Sequence, residues 1–189
     1  MSHQVLSSPT SRAVGEAVVA VASVVAAAPD PAMLVQLHGT PWPLADAESL
    51  RGIALLEESR LSAEALGRLH RDHERLFVGR PERGPVASAD APEGDVPSLT
   101  RLRLELVQAG LLLPSPTGTD LADALHALAV LLTAPADDAT LRLRHELLDE
   151  HLLTWGARCL SRVQLGAQTF CYQGVATLGL GLLRRATEC

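Results

Sequence analysis

The stretch Asp72-His73-Glu74-Arg75-Leu76-Phe77-Val78-Gly79-Arg80-Pro81 carries the signals that end a helix and open a long polar loop. Gly79 can adopt the left-handed conformation that closes a helix, and Pro81 cannot continue one. The stretch therefore predicts a helix over residues 62–78 and a loop over residues 79–97. The side chains that recur at helical spacing, and are expected to share the buried face, are Leu66, Leu69, His73, Leu76 and Phe77.

Helical patterning extends along the rest of the chain. Of the 189 residues, 47% are hydrophobic and only 3% are aromatic, so the core must be built from Leu, Val and Ala. Such a composition favours packed helices over a sheet. The helical patterns and their Pro and Gly breaks predict an all-α bundle of about eight to ten helices.

Residues 111–118 contain two prolines and predict a hinge between two helical halves, residues 10–110 and 119–189, of one domain. Such a hinge is compatible with a monomer or with a domain-swapped dimer. In the second half, the last helix is apolar on nearly every side. It also contains Gly174, Gly179 and Gly181, which predict a central helix that a neighbouring helix approaches closely.

The apolar run over residues 17–28 has the character of either a signal peptide or a buried first helix. Only Arg12 gives a basic character to the segment before it, and Glu16 stands at its start, which is unlike a signal peptide. A bilayer span takes roughly 20 apolar residues, more than this run provides. We therefore predict a buried first helix, no stable membrane insertion and a cytoplasmic location.

Charge and cysteine content exclude several classes of function. The formal net charge of -6 argues against a nucleic-acid partner. The sequence contains no Lys, which excludes a Walker-type phosphate loop and a Lys Schiff base. The three cysteines form no CxxC pair, so neither a disulfide framework nor a zinc site is indicated.

The seven histidines raise the possibility of a metal site or a hydrolase. His70 and His73 are three residues apart, but no Glu-x-x-His surrounds them and His-Glu-x-x-His is absent. Gly-x-Ser-x-Gly is absent as well. We predict a binding protein without catalytic residues, cofactor or metal. A helical metal-binding protein or hydrolase that uses the histidines, and a helical interaction or regulatory module, remain the alternatives.

Two sequence blocks resemble those of a known family. The first is Leu76-Phe77-Val78-Gly79 with the Pro/Gly loop that follows, and the second is Glu150-His151-Leu152-Leu153-Thr154-Trp155. Together with an apolar last helix that contains Tyr172, they resemble the TorD/DmsD/NarJ family of maturation chaperones for molybdenum oxidoreductases. The resemblance runs from about residue 50 to the C-terminus. The chain differs from the family pattern at His73, where an aromatic is usual, and at Thr119-Asp120, where the family has Asp-His.

The resemblance implies a protein that binds the N-terminal region, often a twin-arginine signal peptide, of the apo catalytic subunit of a molybdenum oxidoreductase. Carboxylates such as Asp120 and Asp123 would pair with the guanidinium groups of that peptide. An apolar groove near the hinge would take its hydrophobic part. The expected client-binding residues are Asp120, Leu121, Asp123, His126, Leu76, Phe77, Gly79, His151 and Trp155.

Overall fold

The structure is a computed structural model that describes residues 8–79, 104–108 and 120–189, with only the backbone described at Asp120. All regular elements within these ranges are helical, which confirms the predicted all-α class. The predicted hinge at residues 111–118 lies outside the described residues. So do most of the predicted 79–97 loop and most of the helix expected over residues 98–110, of which residues 104–108 are helical.

The chain forms eight labelled α-helices and two π-helical segments in the described residues, besides the short helical stretch at 104–108. In chain order these are α1 (Pro9–Ala26), α2 (Pro31–Gly39), α3 (Ala47–Leu61), α4 (Leu66–His73), the first π-helical segment (Glu74–Val78), α5 (Asp120–Thr133), α6 (Asp138–Glu146), the second π-helical segment (Leu147–Gly156), α7 (Ala157–Gly166) and α8 (Phe170–Ala186). Side-chain caps begin several of them. The Asp46 carboxylate accepts from the Ser49 N–H at 3.0 Å, and Asp137 accepts from the Thr140 N–H at 2.7 Å.

The predicted helix start at Ser62 is wrong. Helix α3 extends to Leu61, and the Ser62 N–H still bonds back to the carbonyl of Glu58. Ala63 then takes a positive φ of 48° and turns the chain, so that α4 begins only at Leu66. Leu66 therefore stands at the first turn of a new helix and is 36% exposed, outside the buried face predicted for it.

Helix α8 lies at the centre of the fold, where it packs against α1, α3, α4 and α7. A Cβ atom added at Gly174 would lie 2.9 Å from the carbonyl oxygen of Gly52 in α3. One added at Gly52 would lie 2.9 Å from Cγ of Leu178 in α8. Only glycine permits α3 and α8 to approach this closely, which confirms the prediction made from the glycines of the last helix.

Helix α1 packs against α5 and α8 and contributes a row of fully buried valines to the core. At its crossing with α5, a Cβ added at Gly15 would lie 2.9 Å from Cγ2 of Thr133. By length and composition, α1 is the one helix in the described ranges that could cross a membrane, with a mean hydropathy of 1.2. A buried core helix passes the same test, and 56% of that window is buried inside the fold.

Candidate functional site

The first motif block lies at the junction of α1, α4 and α8. Leu76 is fully buried and Phe77 is 6% exposed, whereas Gly79 is partly exposed and ends the first π-helical segment with a φ of 77°. The rings of His73, Phe77 and Tyr172 pack together, with centroids 5.1 Å apart for His73–Phe77 and 5.7 Å for Phe77–Tyr172. The imidazole of His73 is thus the third ring of this cluster, beside Phe77 and Tyr172.

His73 also ties this junction to the end of α1. Its Nε2–H donates to the carbonyl of Val25 over 3.2 Å, since a carbonyl can only accept. Burial lowers the pKa of His73, and so the neutral ring is favoured in the folded chain. Tyr172 is fully buried, burial raises its pKa, and no hydrogen-bond partner for its Oη lies among the described residues.

The second motif block lies in the second π-helical segment. His151 and Trp155 are 1% and 2% exposed, whereas Glu150 in the same block is exposed. The segment packs against α5, and a Cβ added at Gly156 would lie 3.7 Å from Cδ1 of Leu121. The helical backbone continues through this segment directly into α7, so His151 lies within a continuous helical stretch.

Helix α5 carries two of the three predicted client-binding residues that the structure shows to retain solvent access. The helical period places Leu121, Leu125, Leu128 and Leu132 on one face of α5, and all four are buried. Asp123 and His126 are half-buried on the other side. Burial lowers the pKa of His126, against an opposing effect of the Asp123 carboxylate. Of the nine predicted client-binding residues, five are buried, and Asp123, His126 and Gly79 are partly exposed. The side chain of the ninth, Asp120, lies outside the part of the chain that the structure describes.

A buried polar junction joins α4 to the start of α8, and sequence reasoning missed it. The Asp72 side chain is 2% exposed, and its carboxylate accepts from the backbone N–H groups of Gln168 at 2.9 Å and Thr169 at 3.0 Å. It also accepts from the Thr169 hydroxyl at 2.8 Å. Arg75 donates to the Asp72 carboxylate and to the carbonyl of Gly166, both over 2.5 Å. One sequence signal could have indicated this junction. Asp72 is an acidic residue between Leu69 and Leu76, on the face that was predicted to be buried.

Glu64 completes this junction from the turn between α3 and α4. Its carboxylate accepts from the backbone N–H groups of Phe170 and Cys171, both at 3.1 Å, which are among the first donors of α8. The Ser59 hydroxyl donates to the same carboxylate over 2.8 Å. Two carboxylates therefore hold the N-terminus of the central helix, where negative charge interacts favourably with the helix dipole.

A groove of about 470 Å³ opens between α2, the end of α3 and α4. Its lining residues are Leu34, Val35, His38, Gly39, Ser59, Arg60, Ala63, Glu64 and Leu69. Val35 is 74% exposed. The charges at the rim have partners within the protein, because Arg60 pairs with Glu57 and Glu64 holds the start of α8. The groove thus offers an apolar surface, and the charged side chains Arg60 and Glu64 at its rim already have partners within the protein.

The histidines of α4 are engaged with backbone carbonyls. His70 Nε2 lies 2.9 Å from the carbonyl of Pro29, as His73 Nε2 lies against Val25. In the part of the chain that the structure describes, no three His, Cys, Asp or Glu side chains are grouped so that they could hold a metal ion. Cys171 is fully buried, and burial raises the pKa of its thiol to about 12.

No protein-family model matches this chain, and no match was found among curated proteins or solved structures.

Proposed function

We propose that this chain is a cytoplasmic chaperone that binds the N-terminal region of the apo catalytic subunit of a molybdenum oxidoreductase and assists its maturation. One observation carries the proposal. Leu76-Phe77-Val78-Gly79 and Glu150-His151-Leu152-Leu153-Thr154-Trp155 occur in the order of the family that they resemble, within an all-α chain. No bond is made or broken in this activity, because occupancy of the client's N-terminus is sufficient to delay its export.

The electrostatic part of the proposal rests on α5. Asp123 is half-buried beside His126, and the whole chain is acidic with a net charge of -6. An arginine pair in a client peptide would gain charge-assisted hydrogen bonds from carboxylates at such a site. The buried motif residues Phe77 and Trp155 would then support the shape of this surface from within the core.

The first test is a pull-down with the tagged protein from its native host under respiratory growth, with mass spectrometry of the bound proteins. We expect a molybdopterin-enzyme catalytic subunit among them, and its N-terminus can then be titrated as a peptide by calorimetry. Asp123→Asn should weaken peptide binding by about 2–10-fold. The matched control, Asp149→Asn at an exposed position, should leave the affinity unchanged. Unchanged affinity of Asp123→Asn at low salt would contradict the electrostatic model, because screening is weakest there.

The groove between α2, α3 and α4 favours a second candidate, a helical protein-interaction module with another partner. Apolar grooves between helices are a common way to bind a partner helix. Val35→Asp would place a charge on the exposed apolar part of this groove. Loss of partner binding in Val35→Asp, together with normal binding by Asp123→Asn, would favour this second function over the first. A metal-binding function of the histidines stays a prediction that metal analysis of the purified protein tests.

A further inference from the structure

The turn between α7 and α8 lies along one side of α4. Arg75 donates to the carbonyl of Gly166, at the end of α7, over 2.5 Å. Arg68 donates to the carbonyl of Gln168 over 2.8 Å. Arg71 follows Arg68 by three residues and precedes Arg75 by four, so the helical period places its exposed side chain on the same side of α4. These three arginines form an arginine edge of α4 that is roughly 10 Å long.

Apolar side chains are exposed at both ends of the arginine edge. Leu165, next to Gly166, is 87% exposed, more than any other large hydrophobic residue in the described ranges. At the other end, Leu66 in the first turn of α4 is exposed, and so is Phe170, whose N–H donates to Glu64. The edge thus combines guanidinium groups with leucine and aromatic surface, and arginine and aromatic residues are enriched in protein–protein interfaces.

The charge around the arginine edge is opposite to that of the whole chain. The chain has a net charge of -6, yet no acidic residue occurs between Glu150 and Glu188, a stretch that includes α7 and α8. Of the three acids from residue 64 to residue 75, Asp72 and Glu64 bond to backbone N–H groups at the start of α8, and Glu74 alone is exposed. Helix α7 adds two exposed arginines, Arg158 and Arg162. Because charges beyond about 8 Å are largely screened at physiological ionic strength, the potential at this edge is set by nearby arginines.

We propose that the arginine edge of α4 is an interaction surface for an acidic, partly apolar segment of another protein. Arg68 and Arg75 also hold the turn between α7 and α8 through its carbonyls. The exposed Arg71 and Leu165 are free to serve a partner. Carboxylates on successive turns of a partner helix repeat every 5–6 Å or so, about the spacing of the arginines along α4, and a guanidinium can bind each carboxylate through two parallel hydrogen bonds.

The charge distribution favours a narrow peptide segment over an anionic membrane. A membrane would face a broad area of a chain whose net charge is negative, whereas a peptide would contact the arginine edge alone. This surface is separate from the proposed client-binding residues of α5. Those residues would take a basic peptide, so neither proposal depends on the other.

The test measures binding of a fluorescein-labelled helical peptide to the full chain by fluorescence anisotropy. The peptide carries glutamates at positions i, i+4 and i+7 with leucines beside them, and a matched peptide has glutamine in place of each glutamate. At low salt, wild type should bind the glutamate peptide about fivefold or more tightly than the glutamine peptide, and added salt should reduce the difference. Equal affinity for the two peptides would overturn the proposal.

Substitutions locate the binding on the arginine edge. Arg71→Glu should weaken binding of the glutamate peptide by about 3–20-fold, because it replaces an attraction with a repulsion. Arg51→Glu makes the same change in net charge at an exposed position of α3 and should leave the affinity within about twofold of wild type. Leu165→Ser should weaken both peptides by about 2–10-fold, since it removes apolar contact. Equal losses in Arg71→Glu and Arg51→Glu would overturn the proposal, because a general charge effect would then explain the binding.

Neither Arg71 nor Arg51 forms an ion pair with a residue of the described ranges, so both charge variants should unfold at the wild-type Tm. Two other occupants of the edge give different results. Vesicles of phosphatidylcholine with and without phosphatidylserine test an anionic membrane, and sedimentation equilibrium tests a second copy of the chain. Vesicle binding or self-association that Arg71→Glu abolishes, without binding of the glutamate peptide, would refute an acidic protein segment as the partner.

Discussion

Loss of the Asp72 carboxylate should destabilise this protein more than loss of any other capping acid described in the fold. Asp72 is buried and accepts four hydrogen bonds, from Gln168, Thr169 and Arg75. Hydrogen bonds to a charged group contribute about 1.5–3 kcal/mol each, but their contributions are not additive, and water can enter the vacated space. Breaking one buried charge pair costs about 3–5 kcal/mol, and we expect Asp72→Ala to lower the free energy of unfolding by that amount.

Urea unfolding followed by circular dichroism measures this change, with an unaltered m-value as the sign that both end states are preserved. Asp30→Ala is the matched control, since its exposed carboxylate caps α2 with a single bond to the Met33 N–H at 2.8 Å. That substitution should cost about 1 kcal/mol. Asp72→Asn keeps the side-chain volume and one acceptor oxygen. It should therefore lower the free energy of unfolding by less than Asp72→Ala and by more than Asp30→Ala.

A double-mutant cycle with Arg75→Ala isolates the pair itself. Arg75 also bonds to the Gly166 carbonyl, so the single Arg75→Ala change reports more than the ion pair. A coupling energy of about 1 kcal/mol or more between Asp72 and Arg75 is expected. If Asp72→Ala costs no more than Asp30→Ala, the argument that two carboxylates anchor the start of α8 is refuted.

Three further tests probe the pKa of His73, the helix contact at Gly174 and the burial of Cys171. Burial lowers the pKa of His73 below its ordinary 6.5, so the unfolded chain binds more protons below that pH and the free energy of unfolding should fall as the pH drops through this window. In urea titrations His73→Gln should reduce that fall, whereas His145→Gln at an exposed position should not. Gly174→Ala, whose Cβ would meet a carbonyl oxygen of α3 at 2.9 Å, should cost about 1–3 kcal/mol in the same assay. Gly67→Ala, whose Cβ would meet only the flexible guanidinium of Arg71 at 3.6 Å, should instead raise the free energy of unfolding by about 0.5–1 kcal/mol. The Cys171 thiol, with its pKa raised to about 12, should react with thiol reagents near neutral pH only after unfolding, as mass spectrometry can show, and rapid labelling of the folded chain would contradict its burial.

Features that depend on nearby residues could be predicted from the sequence. The caps at Asp46 and Asp137 each bond to an N–H three residues later, so both partners lie within one sequence window. The stripe from Leu121 to Leu132 follows from the helical period alone. Gly174 indicated a close helix contact, since a glycine in a helix interior is unfavourable unless a neighbouring helix leaves no space for a Cβ atom.

The candidate site was less accessible to the same reasoning. Periodicity placed Phe77 on an apolar face, and Trp155 entered only through its motif block. Neither signal could show whether the side chain stays open to a peptide or packs against other helices. In the structure both side chains are buried. The π-helical segments that carry them were not predicted either, because a change from one helical hydrogen-bond pattern to another leaves the order of apolar residues almost unaltered.

The sequence by itself determined the helical class, the helix end before Gly79 and the glycine contact of the central helix, since each depends on residues a few positions apart. Only the tertiary structure decided which polar groups the core admits. Asp72 bonds to Thr169, 97 positions away, and His73 bonds to Val25, 48 positions away. The local sequence around an acid or a histidine on an apolar face does not reveal whether that side chain has a distant partner. Burial of such a side chain is favourable only if donors or acceptors from other parts of the folded chain bond to it.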